Sequence, residues 1–284
     1  MPIRGPQILS RRGFGGAPVP ASSISSSGMG TEYRNPFGKP LLYNRPMPRF
    51  ITRAQLVREI PVDRTRFPFT LPVFRDFEGI DFHPRVTFFV GENGSGKSTM
   101  LEAVAVAAGL PAEGGSKMHR FSTHDTHSDF FDSLTIVRGE FPADTFFLRA
   151  ESFYNLATYL QKDGLYRYGD IHHVSHGQGF LEAIMAFKPH GLYLFDEPES
   201  ALSPQGQVTL LARMKELVDL DSQLIIATHS PILLGYGDAL IYEFSNEGIR
   251  EVKYRETQAY LLTRDFIANR DRYGRLLGLD PLPD

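Results

Sequence analysis

Beyond residue 50 the apolar positions fall into short continuous runs separated by polar turns. RVTFFV (85–90) is rich in β-formers and enters a glycine-rich turn. GLYLFDE (191–197) and QLIIATHS (223–230) are near-continuously apolar, the pattern of strands buried on both faces. SLTIVRG (133–139) and DTFFLRA (144–150) also read as strands. Helical spacing runs through STMLEAVAVAAGL (98–110), ESFYNLATYLQ (151–161) and GFLEAIMAF (179–187), with KDGLYRYGD breaking the second of these. PQGQVTLLARMKELVDL (204–220) shows the same spacing and starts on proline, which is pre-set for a first helical turn. DALIYEF and IREVKY predict a closing strand pair, and residues 257–278 a single amphipathic helix. Strands alternating with helices predict an α/β core with a largely parallel sheet. No internal repeat is visible.

The first fifty residues have a different texture. They hold 7 Gly, 8 Pro and 6 Ser, and seven basic side chains against Glu32 alone, a balance of +6 in a chain of net −3. Such a segment cannot bury enough apolar surface to order itself. Residues 1–48 are expected to be an irregular basic arm, read as a solvated tail, a nucleic-acid or partner contact, or a transit segment. Residues 49–284 are expected to form one domain. The absence of cysteine excludes disulfides and thiolate metal sites. No apolar run approaches the roughly 18–20 residues that span a bilayer, and no signal-peptide core opens the chain, so a cytoplasmic location is expected.

GENGSGKST (91–99) matches G-x-x-x-x-G-K-[ST] between a strand and a helix, where a phosphate loop belongs. Backbone N–H groups from Gly91, Glu92, Asn93, Gly94, Ser95, Gly96, Lys97, Ser98 and Thr99 would surround phosphate oxygens at a helix N-terminus. Lys97, expected on a solvent-facing loop, would reach the β- and γ-phosphates of ATP, and the Ser98 hydroxyl would ligate Mg²⁺. LYLFDEPESALSP (192–204) supplies Asp196 at a strand end as the second Mg²⁺ group, directly or through water. Glu197 beside it would be the general base for water. His229, in ATHSP, would sense the γ-phosphate or orient that water.

These ordered motifs resemble the ABC-type ATPase family, which includes transporter motors and chromosome-maintenance and repair ATPases. The resemblance covers roughly residues 85–245. It implies a P-loop core with a mostly parallel sheet, an antiparallel β portion and a small helical subdomain, placed at about 151–188. In that family a serine–glycine signature precedes the Asp–Glu strand. VSHGQ (174–178) ends 18 residues before Asp196, so Ser175, Gly177 and Gln178 look like the signature, opening a helix at 179. The resemblance implies a homodimer in which one copy's signature caps ATP held by the other, and SALS (200–203) matches the loop that crosses between copies.

Two features depart from the family pattern. His176 stands where glycine is usual, a variant similar to small stand-alone bacterial ATPases of the superfamily. The glutamine expected after the strand following the P-loop is missing, and RAESFYN takes its place. His172, His173 and His176, and the loop bearing His119, His124 and His127, read either as metal ligands or as plain loop. Phe67, Phe69 and Phe74 are available to stack on adenine or to fill the core.

Lys97 and Ser175 are 78 residues apart, too few for a long coiled-coil arm, and 55 residues follow His229, too few for a fused nuclease domain. The expected function is a soluble ATPase that switches a partner protein or acts on nucleic acid. A transporter motor whose membrane part is a separate chain is the alternative, and a non-hydrolysing nucleotide-binding module a third reading.

Overall fold

The computed structural model describes residues 33–34, 40–41, 50–57, 63–116, 130–153 and 176–280. Its contacts group the chain into two units, Met1–Asn44 and Arg45–Asp284. In the first, β1 (Tyr33–Arg34) pairs antiparallel with β2 (Pro40–Leu41). The remainder of the predicted arm lies outside the described residues.

The second unit is built on a six-stranded sheet in the order β11-β10-β5-β9-β8-β7. These strands are β5 (Val86–Gly91), β7 (Asp144–Arg149), β8 (Gly191–Asp196), β9 (Gln223–Ala227), β10 (Ala239–Ser245) and β11 (Gly248–Glu251). All its pairings are parallel except the β10–β11 hairpin, which is the closing pair expected from the sequence. The continuous apolar runs follow from the covering of both faces. Successive residues point to opposite sides of a strand. Phe89, Leu194 and Ile225 therefore enter one core, and Phe88, Phe195 and Ile226 the other. All six are fully buried.

Helix α1 (Lys97–Ala107) packs in the first core through Met100, Leu101 and Val104. Helices α2 (His176–Met185) and α3 (Pro204–Asp219) contribute Phe180, Ile184, Leu210 and Met214 to the second. The start of α3 matches its sequence: Pro204 opens it and the Ser203 hydroxyl accepts from Gly206 N–H at 3.2 Å.

The antiparallel portion is a three-stranded sheet of β4 (Gly79–Asp81), β3 (Ile51–Leu56) and β6 (Leu134–Arg138). Buried Gln223 ties it to the large sheet. Its carbonyl accepts from Phe50 and Ile51 N–H at 3.1 and 3.0 Å, and its amide donates to Ile51 and His83 carbonyls at 2.8 and 2.9 Å. Both lone pairs and both N–H donors of this buried amide are thereby used.

The single helix expected over 257–278 is two, α4 (Gln258–Ala268) and α5 (Arg270–Leu277). Asn269 separates them with φ −129° and ψ 35°, while its amide donates to Asp265 at 2.8 Å. The break therefore lies in the Asn269 backbone, and its side chain ties back to the preceding helix through a carboxylate. Of the expected helical subdomain, α2 and the turn at Glu151–Ser152 are described; residues 154–175 lie outside the described residues.

Candidate nucleotide site

The P-loop leaves β5 and enters α1 through Gly96, whose φ of 97° is left-handed. A side chain is doubly excluded there, because a Cβ would stand 2.9 Å from the Phe74 ring. The exposed tip at Glu92, Asn93 and Gly94 presents backbone to solvent. Lys97 corrects the sequence expectation. It is the first residue of α1, and only 3 % of it is exposed. Its Nζ folds back and donates to the Gly91 and Glu92 carbonyls at 3.0 and 2.9 Å, so the loop's own backbone encloses the ammonium. Burial pulls its pKa below the usual lysine value, opposed by Glu197, Asp196 and Glu199.

Parallel pairing brings the ends of β7, β8 and β9 together, with Arg149 opposite Asp196 and Asp196 opposite Ala227. The Ser98 hydroxyl donates to Asp196 Oδ1 at 2.8 Å. Asp196 is buried, and desolvation raises its pKa above the ordinary aspartate value, against the nearby Arg149 charge and the Ser98 hydrogen bond. Glu197 has left-handed φ 48° and ψ 52°, and its N–H donates to Ala227 O at 2.9 Å. Its carboxylate stands 3.4 Å from His229 Nε2.

Two recesses meet these groups. One of about 970 Å³ lies between the loop Gly91–Ser95, the segment Thr228–His229, the β10–β11 hairpin and α4. The other, about 150 Å³, lies among Ser98, Arg149, Glu151, Asp196, Glu197 and Ser200. The larger touches neither Ser98 nor Asp196, so the smaller one marks the acid-lined end of the site.

A family model described as an AAA domain matches residues 71–144. A second AAA-domain model, whose description also mentions an AbiEii toxin and a type IV TA system, matches residues 170–235. AAA-domain models thus match the segment that holds the P-loop and, separately, the segment that holds the acid strand. No curated protein matches it. Among solved structures, the SMC head domain from Thermotoga maritima is 16 % identical, over 72 % of this chain and 98 % of that one, with a TM-score of 0.41. The structure of cbiO1 from Clostridium perfringens, described as part of the ABC transporter complex cbiONQ, is 17 % identical, over 81 % of this chain and 100 % of that one, with a TM-score of 0.42.

The donor set of this P-loop domain fits ATP with Mg²⁺. A hydroxyl and a carboxylate, Ser98 and Asp196, offer hard oxygen atoms. Mg²⁺ typically takes one or two carboxylates and completes its shell with waters and phosphate oxygens. Among the described residues, the buried side-chain polar atoms without a hydrogen-bond partner are Ser95 Oγ, Glu199 Oε2 and His229 Nε2. All three flank the phosphate loop or the acid strand, where a polar ligand would find them.

The remaining expected positions divide as follows. Thr99 lies in the first turn of α1. Gly177 and Gln178 lie in the first turn of α2, which is described from His176 rather than from 179. A Cβ on Gly177 would stand 2.9 Å from the Ala201 carbonyl, so glycine there lets α2 press against the loop after the acid strand. Ser175, His172, His173, His119, His124 and His127 lie outside the described residues. Phe69 and Phe74 are buried in the core and Phe67 is exposed.

Two side chains at the site escaped the sequence reading. Arg149 Nη1 donates to Glu102 at 2.8 Å and to Ala112 O at 3.1 Å, and its Nε lies 3.4 Å from Asp196 Oδ2. Glu199 accepts from the His229 N–H. Position gave a hint for Arg149, since it ends the strand where the family's glutamine was sought. Glu199 gave none, because its partner is thirty residues away.

Proposed function

We propose that this chain binds ATP with Mg²⁺ and hydrolyses it. We propose further that two copies sandwich each nucleotide, and that the cycle switches a partner protein or acts on nucleic acid. One observation carries the reading. Groups from the P-loop, the acid strand and the next strand converge, with Ser98 2.8 Å from Asp196 and Glu197 3.4 Å from His229.

In this reading the N–H groups of the P-loop and the Lys97 ammonium take the triphosphate. A phosphate returns to Lys97 the counter-charge that burial denies it. Ser98 and Asp196 hold Mg²⁺, which, when bound, neutralises charge developing on the phosphate oxygens. Glu197 accepts a proton from water as that water's oxygen bonds to the γ-phosphorus and the bond to the β-phosphate oxygen breaks. Its side chain is 42 % exposed, open to water from solvent. Its left-handed backbone, pinned by Ala227, fixes where the carboxylate stands. His229 orients the water or the γ-phosphate from the opposite side. Ser175, Gly177 and Gln178 cap the phosphate held by the second copy, using the N–H groups at a helix start.

The test pairs a hydrolysis assay with size-exclusion and light scattering. The wild-type chain hydrolyses ATP only with Mg²⁺. Glu197→Gln keeps its size and polarity but loses the base, so it binds ATP, hydrolyses it roughly 10²–10⁴-fold more slowly and accumulates as a dimer. Adding Ser175→Arg abolishes that dimer. A Glu197→Gln protein that stays monomeric with ATP·Mg²⁺ at high concentration overturns the sandwich, and wild-type turnover in Glu197→Gln overturns the base.

A further inference from the structure

The segment after the acid strand touches the His229 loop at two points. Glu199 Oε1 accepts the main-chain N–H of His229 at 2.5 Å. Eight residues on, Gln207 Oε1 accepts from the Ser230 hydroxyl, also at 2.5 Å. Ser230 is buried, and its hydroxyl accepts from Ile232 and Leu233 N–H at 3.1 Å each, so the second contact anchors the far side of the loop. Between the two grips the chain bulges outward at exposed Ser200. Among the described residues the His229 side chain has no hydrogen-bond partner: its Nε2 is buried and stands 3.4 Å from Glu197 without the alignment of a hydrogen bond.

Glu199 makes this contact at a cost. Its second oxygen, Oε2, is buried and has no hydrogen-bond partner. Leaving a buried carboxylate oxygen unpaired is unfavourable. A side chain placed only to fill space would not need a charge here. What the geometry secures is the position of one N–H, and with it the root of the His229 side chain opposite Glu197.

We propose that Glu199 is a positioning residue for His229, setting the imidazole against Glu197 and the γ-phosphate and coupling it to the loop at 200–203. This rests on the ATPase reading given above. A displacement of about 1 Å in a group that orients reactants can cost on the order of 100-fold in rate. ATP binding, which falls to the P-loop, is separate from this contact.

Single-turnover hydrolysis and the affinity for a non-hydrolysable ATP analogue are measured on the full chain. The variants are Glu199→Ala, Glu199→Gln, His229→Ala and the double variant Glu199→Ala/His229→Ala. Glu199→Ala slows hydrolysis roughly ten- to hundredfold with analogue affinity within about threefold of wild type. Glu199→Gln, which keeps an acceptor for the N–H, stays within about threefold of the wild-type rate. In the double variant the Glu199 change adds nothing to the loss caused by His229→Ala, the mark of a residue acting through another. Losses that multiply in the double variant, or Glu199→Ala at the full rate while His229→Ala is slow, overturn the positioning role alone. Full-rate hydrolysis by His229→Ala, or none by the wild type, overturns the catalytic reading and this role with it. Should Glu199→Ala not fold, Glu199→Asp replaces it. One methylene shorter, it keeps the charge but withdraws the acceptor, so it is slow where Glu199→Gln is not; the reverse order overturns the proposal.

Discussion

The Ser98 hydroxyl donates to Asp196 Oδ1 across 2.8 Å, joining the first turn of α1 to the end of β8 although 98 residues separate them. Arg149 approaches the other oxygen of the same carboxylate at 3.4 Å. Asp196 is thus held on one side by a neutral donor that can turn toward a cation, and on the other by a fixed positive charge.

If Asp196 holds Mg²⁺ as proposed, that arrangement makes Arg149 a support for the metal. Arg149→Ala removes the bridge between Glu102 and Asp196. The Mg²⁺ concentration giving half-maximal hydrolysis rises about 10–100-fold, the usual cost of losing a group that orients a metal ligand. Arg149→Lys recovers only part of this, because a single ammonium cannot serve both carboxylates and the Ala112 carbonyl as a planar guanidinium does. A metal titration of hydrolysis in each variant is the check, and an unchanged midpoint in Arg149→Ala excludes the role.

Lys97→Ala loses ATP binding or turnover by at least about 100-fold, as expected for removing a fixed charge from developing phosphate charge. The fold survives, because the Nζ bonds only the Gly91 and Glu92 carbonyls, which water can reach once the side chain is gone. Circular dichroism and nucleotide titration on one preparation separate the two statements. Wild-type turnover would remove the phosphate-loop assignment.

Gly177→Ala strains the contact between α2 and the loop after the acid strand, since its Cβ meets the Ala201 carbonyl at 2.9 Å. Overpacking against backbone costs about 1–3 kcal/mol. The better helix propensity of alanine returns at most about 1 kcal/mol. Denaturant unfolding shows a lower midpoint in the variant, and a midpoint equal to or above wild type contradicts the close approach.

Deleting residues 1–48 tests whether the basic arm touches nucleic acid. Contacts made by its six cations would release counterions, so the truncated chain binds duplex DNA more weakly and with a flatter dependence on salt. Equal affinity and equal slope in both forms remove nucleic acid from the arm's role.

The phosphate loop and acid strand were legible because their chemistry is local. Glycine spacing, a lysine and a hydroxyl must follow one another along the chain, and Asp196 must end an apolar run. β3 was illegible because only Ile51 and Ala54 of its six residues are buried, which breaks the two-residue alternation of a half-buried strand. The burial of Lys97 was missed for another reason. Its ammonium is housed by the loop's own carbonyls, and composition gives no sign of that. The grips of Glu199 and Gln207 on the His229 loop were hidden because they depend on which strand ends lie side by side. Asn269 could have been read as a break in 257–278, since asparagine is a poor residue for a helix interior, but the apolar spacing on either side masked it.

The strand order has a consequence for how the chain acquires this site during synthesis. β5, which carries the phosphate loop, pairs with β9 and β10, Val86 standing opposite Leu224 and Ala239. A growing chain has therefore made β5 and α1 long before either edge of β5 can be paired. Until residues 223–245 emerge, the strand is an open apolar template, and neither β9, which links it to the acid strand, nor His229 has been made. Closure of the sheet waits on contacts more than a hundred residues apart, which makes assembly slow. Chains truncated before residue 223 would expose that template and self-associate, whereas those extended past 245 would bury it.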